Sequence, residues 1–396
     1  MTEVIEKTEY KKGYKKTKLG WIPEDWEIVK SWKLFHNYSK KNNKQEELLS
    51  VTQDKGVIPR SMVEARIAMP EGSTSSYKLV EKGDFVISLR SFQGGIEYSE
   101  YRGVVSPAYT ILKRNLAISD GYYKQWFKSS EFIARLGVAI IGIRDGKQIS
   151  YEDFSMLPIC YPPLKEQEKI AEILSAWDDG IETLEKLIEQ KEILKKATMQ
   201  KLFLEKESWK MMRFDKIFKD FCKKNCPEGR LLSATQEKGV IPRDMLSGKV
   251  MSPEGSLDGY KLIEADDFVI SLRSFQGGLE YSKYRGILSP AYTVLKNIID
   301  IDKDFYRHFF KSYKFIEKYL SISVIGIRDG KQISYSDLSS VKIPYPPLEE
   351  QEKIGKILNC YDEELQLLNS KLEKLKEQKK GLMQKLLTGK IRVKIS

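Results

Sequence analysis

FVISLRSFQGGIEYSEYRGVVSPAYTILK, residues 85–113, returns at residues 268–296 as FVISLRSFQGGLEYSKYRGILSPAYTVLK, with 24 of 29 positions unchanged. The offset of 183 also carries LLSVTQDKGVIPR (48–60) onto LLSATQEKGVIPR (231–243) and Trp26 onto Trp209. After one extra residue the offset becomes 184 and carries GIRDGKQISY (142–151) onto the same letters at 326–335. A period of that size is too long for a solenoid repeat and long enough for a domain plus a connector. The chain therefore reads as a fused pseudo-dimer.

Within each copy, mixed sequence gives way to helical sequence at one point. Tyr161-Pro162-Pro163-Leu164 and Tyr345-Pro346-Pro347-Leu348 each precede a long charged segment, with prolines where a helix start tolerates them and acids in the first turn. In the second segment Ile354, Leu358, Tyr361, Leu365, Leu368, Leu372, Leu375, Leu382 and Leu386 keep an alternating 3-4 spacing, broken at Lys379. In the first, Ile170, Leu174, Trp177, Ile181, Leu184 and Ile188 keep the same register until Lys191 and Lys195 interrupt it. These are coiled-coil seams. Neither seam is buried alone, so the two helices are expected to pack on each other. The alternative is two independent core helices.

The remainder of each copy predicts an α+β domain. Phe85–Leu89, Val104-Val105 and Tyr109–Leu112 read as strands, and Gly83-Asp84, Gly94-Gly95 and Asp145-Gly146 as turns. Residues 120–137, and their counterparts around Phe305–Tyr319, read as one helix with an apolar face whose aromatics belong to the core.

Composition narrows the partners. With 67 Lys+Arg against 56 Asp+Glu, the net charge of +11 favours a polyanion. Neither a membrane-length apolar run nor an N-terminal signal segment is seen, so a cytoplasmic protein is expected. Cys160, Cys222, Cys226 and Cys360 do not superpose between the repeats, and the only histidines are His36 and His308. Four ordinary thiols and no metal site are expected. No phosphate loop, dinucleotide fingerprint or methyltransferase tetrad occurs. The nuclease-like spacings Glu189-x-Lys191 and Glu377-x-Lys379 sit inside the heptads and read as a solvated helix face. No catalytic residue is assigned.

What is duplicated and polar suits DNA reading. The candidates are Gln53, Lys55 and Arg60, with Gln236, Lys238 and Arg243 in the second copy; Arg90, Ser91 and Gln93, with Arg273, Ser274 and Gln276; and Arg144, Lys147 and Gln148, with Arg328, Lys331 and Gln332. Gln pairs with adenine and Arg with guanine, while Lys holds phosphates. Adjacent glycines let such loops enter a groove closely. The bland alternative for each segment is a turn with capping polar groups.

LGWIPEDW at 19–26, the Pro-Pro-Leu-x-Glu-Gln-x-Lys-Ile entries at Pro162–Ile170 and Pro346–Ile354, and GLMQKLLTGKIRVK at 381–394 resemble the specificity subunit of type I restriction-modification systems. The likeness runs from about residue 17 onward. It implies two pseudo-repeated α+β target recognition domains separated by two long helices that form an antiparallel coiled coil. The expected division is a flexible tail at 1–16, recognition domains at 17–160 and 206–344, a spacer helix at 161–205, and a second helix with a C-terminal tail at 345–396. It further implies a non-catalytic reader of a bipartite double-stranded DNA site that binds no cofactor itself. Two modification (methyltransferase) subunits would dock on it, carrying S-adenosylmethionine, and restriction (translocase/nuclease) subunits would join. Recognition domains commonly diverge within such chains, whereas these are near copies, so a near-palindromic site is expected. The rivals are a coiled-coil protein scaffold, a specificity factor of a methylation-only system, and a stand-alone nuclease.

Overall fold

The computed structural model describes residues 12–63, 74–139, 149–204, 206–246, 256–320 and 333–395. The chain divides into two units, Met1–Leu184 with Lys371–Ser396, and Glu185–Ser370. In the first, four antiparallel strands lie in the order Phe35–Tyr38, Thr110–Arg114, Phe85–Ile87, Glu97–Tyr98. Phe85, Ile87 and Leu112 enter a large core, whereas Val86 and Ile111 enter a smaller one with Leu49, Val57, Val80 and Val105. Successive strand residues face opposite sides of a sheet, so burial on both sides explains why FVI reads as an unbroken apolar run. The second unit repeats the order with Phe218–Phe221, Thr293–Asn297, Phe268–Ile270 and Glu280–Tyr281.

The aromatics expected in the core are there: Tyr122, Tyr123, Trp126 and Phe127 are fully buried, and the Phe127 ring lies 5.1 Å from that of Phe85. The helix expected over 120–137 is instead two, Asp120–Trp126 and Ser130–Ala139. Ser129 makes the break, because its Oγ accepts from the Phe132 amide at 3.2 Å and caps the second helix. Ser312 does the same for Phe315 in the second unit. The strand expected to run through Leu89 ends at Ile87, and the turn at Asp145-Gly146 lies outside the described residues. Of the expected flexible tail, residues 1–11 are also outside them, and Tyr14–Thr17 is a strand paired with Gly20–Pro23.

The two long helices are Leu164–Leu202 and Leu348–Leu386. In the first unit Lys379 donates to Asp178, while Ile170 and Leu174 share the core with Leu386 and Leu387. In the second unit Lys191 pairs with Glu364 at 2.7 Å, Lys195 with Asp362, and Thr198 Oγ1 lies 3.3 Å from Tyr361 Oη. Numbers rise along one helix as they fall along the other, so the pairing is antiparallel within each unit. Every expected seam residue (Leu174, Trp177, Ile181, Leu184 and Ile188; Leu358, Tyr361, Leu365, Leu368, Leu372 and Leu375) is buried or half-buried. The lysines that interrupt the seam, read from sequence as breaks or as solvated, are ion-paired to the facing helix.

The Glu-Gln of each helix entry, given no role from sequence, pins the helix start to its domain. Gln167 Oε1 accepts from the Ser119 amide at 3.0 Å and its Nε2 donates to the Pro162 carbonyl at 2.8 Å. Gln351 repeats both bonds with Asp302 and Pro346. Beside it, Glu166 accepts from Trp26 Nε1 at 2.7 Å and from Arg392 at 2.7 and 2.9 Å, and Glu350 accepts from Trp209 Nε1 at 2.8 Å and from Lys206. Buried polar groups need such partners.

Candidate nucleic-acid interface

Two loops of each unit carry the candidates. The first is the turn of the hairpin Leu49–Thr52/Gly56–Pro59. Thr52 Oγ1 closes it, donating to the Gly56 carbonyl at 3.0 Å and accepting from the Lys55 amide at 3.1 Å. Gly56 has φ +73°, and a Cβ there would lie 2.7 Å from the Tyr98 carbonyl oxygen, so only glycine fits. The turn leaves Gln53 and Lys55 exposed, whereas Arg60, at the start of the following 3-10 turn, is half-buried. Gln236, Lys238 and Arg243 are placed in the same way.

The second loop follows strand Phe85–Ile87 and ends in the single helical turn Ser91–Gly94. It exposes Arg90 and Gln93, as its copy exposes Arg273 and Gln276. Ser91 and Ser274 correct the sequence reading: they are buried, and their hydroxyls accept from the Ser88 and Ser271 amides at 2.8 Å. They shape the turn and face no groove. The two loops touch, with Gln53 Nε2 donating to the Arg90 carbonyl at 3.3 Å. That bond occupies one of the amide hydrogens expected to read adenine, so Gln53 and Gln236 also brace the loop beside them. Arg144, Lys147 and Gln148, and Arg328, Lys331 and Gln332, lie outside the described residues.

In the second unit these loops border a groove of about 460 Å³ lined by Gln236, Lys238, Arg273, Leu246, Leu272 and Tyr292. The apolar members were missed from sequence. For Leu272 and Tyr292 the signal was duplication, as Leu89 and Tyr109, whereas Leu246 is matched by Val63 and gave none; Leu89 and Leu272 are each 46 % exposed beside the arginine. Under the loops, burial pushes the Glu97 carboxyl up to about 7 despite its pairing with Lys128, and raises that of Glu280 as well. A groove edged with exposed Arg, Lys and Gln is suited to a phosphate-lined duplex with readable base edges. Among the described residues, no group of His, Cys, Asp or Glu is arranged to hold a metal ion, and no helix is long and apolar enough to cross a membrane.

The sequence model of the type I restriction modification DNA specificity domain matches twice, at residues 23–193 and 206–377. The type I restriction enzyme MjaVIII specificity subunit of Methanocaldococcus jannaschii is 28 % identical over 412 residues, covering 94 % of each chain. The MjaX specificity subunit of the same organism is 27 % identical over 431 residues, covering 96 % of this chain and 97 % of its own. Two solved structures share the fold. A chain from a study of complex assembly and conformational transition in the type I R-M system superposes with a TM-score of 0.58 at 14 % identity, over 93 % of this chain and 99 % of that one. The type I S subunit from M. genitalium superposes with a TM-score of 0.53 at 18 % identity, over 91 % and 96 %. Two specificity-domain matches that together span most of the sequence, on a duplicated fold that presents the same two loops in each unit, settle the family: the chain belongs to the specificity subunits of type I restriction-modification systems, their DNA-recognition rather than catalytic component.

Proposed function

We propose that this subunit reads a bipartite, near-palindromic DNA site, one half with each unit, and docks two modification subunits that carry S-adenosylmethionine and the methyl-transfer chemistry. Restriction subunits join this complex in the cytoplasm, and the chain itself binds no cofactor. The observation that carries the reading is the sameness of the loops: Gln53 Nε2 lies 3.3 Å from the Arg90 carbonyl and Gln236 Nε2 3.4 Å from that of Arg273. Equal loops make equal contacts. Arg90 and Arg273 are suited to guanine O6 and N7, Gln93 and Gln276 to adenine N6 and N7, and Lys55 and Lys238 to phosphates. Docking is supported by the apolar side chains that the helices leave exposed, Leu187, Ile193, Leu194, Ile357 and Leu367.

The test is methylation of a randomised duplex library by the reconstituted complex, followed by sequencing of the methylated sites. An interrupted palindrome is expected. Arg90→Ala should relax one half and Arg273→Ala the other, each by about 1–3 kcal/mol of discrimination. Two unrelated half-sites, or arginine variants that stay folded with unchanged preference, would overturn the reading.

A further inference from the structure

The break between the two short helices of each unit has a consequence for the loops above it. It sets Lys128 beneath both of them, with its ammonium donating to the Gln53 carbonyl at 3.0 Å, the Gly94 carbonyl at 2.9 Å and Glu97 Oε1 at 2.5 Å. Lys311 repeats all three bonds, to Gln236 at 3.2 Å, Gly277 at 3.0 Å and Glu280 at 2.7 Å. A lysine has three donors, and here each is spent on a different segment. The backbone is pressed against the same place. A Cβ at Gly95 would stand 1.9 Å from the Phe127 carbonyl oxygen, and one at Gly94 would stand 2.7 Å from Gln53 Nε2. Gly278 and Gly277 are hemmed in the same way, at 1.8 Å from the Phe310 carbonyl oxygen and 2.9 Å from Gln236 Nε2.

We propose that Lys128 and Lys311 are positioning residues for base recognition, each joining the Gln-Lys turn and the Arg-Gln turn of its unit into one preorganised reading head. The proposal rests on the functional reading above. With every donor engaged inside the protein, the ammonium acts through the loops and is not itself a phosphate contact. Held loops lose less freedom when they dock, and so favour the correct half-site over others.

The test uses the complex with its modification subunits, a randomised duplex library for selection, and bulk competitor DNA for non-specific affinity. Lys128→Met is paired with Lys128→Met/Glu97→Gln, which removes the buried carboxylate left behind, and with Glu97→Gln alone, whose amide oxygen still accepts from the lysine. Lys128→Met and the double variant should lower affinity for the selected site about tenfold and relax base preference in one half-site only. Lys311→Met should relax the other half. Glu97→Gln should preserve discrimination, and competitor affinity and salt dependence should hold in all variants. Equal losses on selected and competitor DNA would reduce the lysine to a folding role and overturn the proposal. A shallower salt slope with intact preference would make it a phosphate contact and overturn it too. Variants that match a wild type which selects a site overturn the proposal alone, whereas a wild type that selects no sequence overturns the functional reading together with it.

Discussion

Trp26 and Trp209 make the same bond to the same glutamate of a helix entry, 2.7 Å to Glu166 and 2.8 Å to Glu350, yet the cation that completes each clamp differs in origin and in kind. In the second unit it is Lys206, three residues before Trp209 in the chain. In the first it is Arg392, from the far end of the sequence, and its guanidinium also grips Asp25 at 2.9 and 2.7 Å. The local clamp is half open, with the Glu350 side chain 23 % exposed, while that of Glu166 is fully buried. Both cations reach their glutamate across more than a hundred residues, so chain closure differs little; the difference is one of chemistry, a half-buried, forked guanidinium–carboxylate pair in the first unit and a single, more exposed ammonium in the second. Equivalent folds are thus fastened by unequal means.

Removing the carboxylates should expose that inequality most strongly. Glu166→Ala leaves the buried Trp26 Nε1 without its acceptor and Arg392 with Asp25 alone, and should cost about 3 kcal/mol. Glu350→Ala breaks a wetter pair and should cost about 1 kcal/mol. Hydrogen exchange resolved over each unit, read against urea, separates the two losses where a single melting curve would blend them. Equal losses would show that the source of the cation is immaterial.

A second contrast lies where each short helix meets its long one. Gln125 Nε2 donates to Asp178 at 2.6 Å in the first unit, and the matching position in the second is His308, 3.0 Å from Asn359 Oδ1 and beside Arg307, Asp362 and Lys195. Burial, together with Arg307, pushes the imidazole down to about 4. The unfolded chain takes up that proton near its ordinary value of about 6.5. Stability from this site is therefore complete above about 6.5 and is lost as pH falls toward 4, by about 2 kcal/mol at pH 5. Glu97 acts in the opposite sense, since its raised carboxyl favours the folded state at low pH and loses that advantage as pH climbs to about 7. For that reason the comparison is between wild type and His308→Gln, which gives the second unit the first unit's residue. The variant should hold its second-unit stability better between pH 6.5 and 5, and parallel profiles would remove the histidine from the account.

The same contrasts mark what could be read in the letters. Duplication made the architecture legible, because a long identical stretch imposes one fold twice, and the heptads revealed the helices because burial of a seam needs that period. The break at Ser129 stayed hidden because neither glycine nor proline marks it, although Phe132, five residues after Phe127, would lie about 140° round an unbroken helix and so carried the signal. Ser91 and Ser274 were misassigned because a serine that caps a turn and one that faces a groove are the same letter. Lys128 drew no notice: its partners are two carbonyls and a carboxylate distant in sequence, and only the folded turn gathers them. The Glu-Gln of the helix entries showed as a motif, but its task is set by Trp26, Ser119 and Arg392, which no local pattern connects.

The smallest effects concern the lysines inside the seam, and there the neighbours should decide the sign. Lys379 and Lys195 are equivalent positions of the two helices, as are Asp178 and Asp362, so a parallel pairing in equal register would set lysine against lysine and aspartate against aspartate. The antiparallel pairing joins Lys379 to Asp178 in the first unit and Lys195 to Asp362 in the second. Lys379→Asp and Lys195→Asp should each cost about 1 kcal/mol, the range of partly exposed pairs. Swapping both charges tests what else each site holds. With Asp178→Lys added, the Gln125 amide has only to present its oxygen where its nitrogen now donates, so stability should return to within about 0.5 kcal/mol of wild type. With Asp362→Lys added, the new ammonium meets Arg307, whose Nη2 now lies 3.3 Å from Asp362 Oδ2, and the loss should persist. Swaps that both restore stability, or both fail, in a chemical-denaturation cycle would show that Gln125 and Arg307 play no part in distinguishing the two sites.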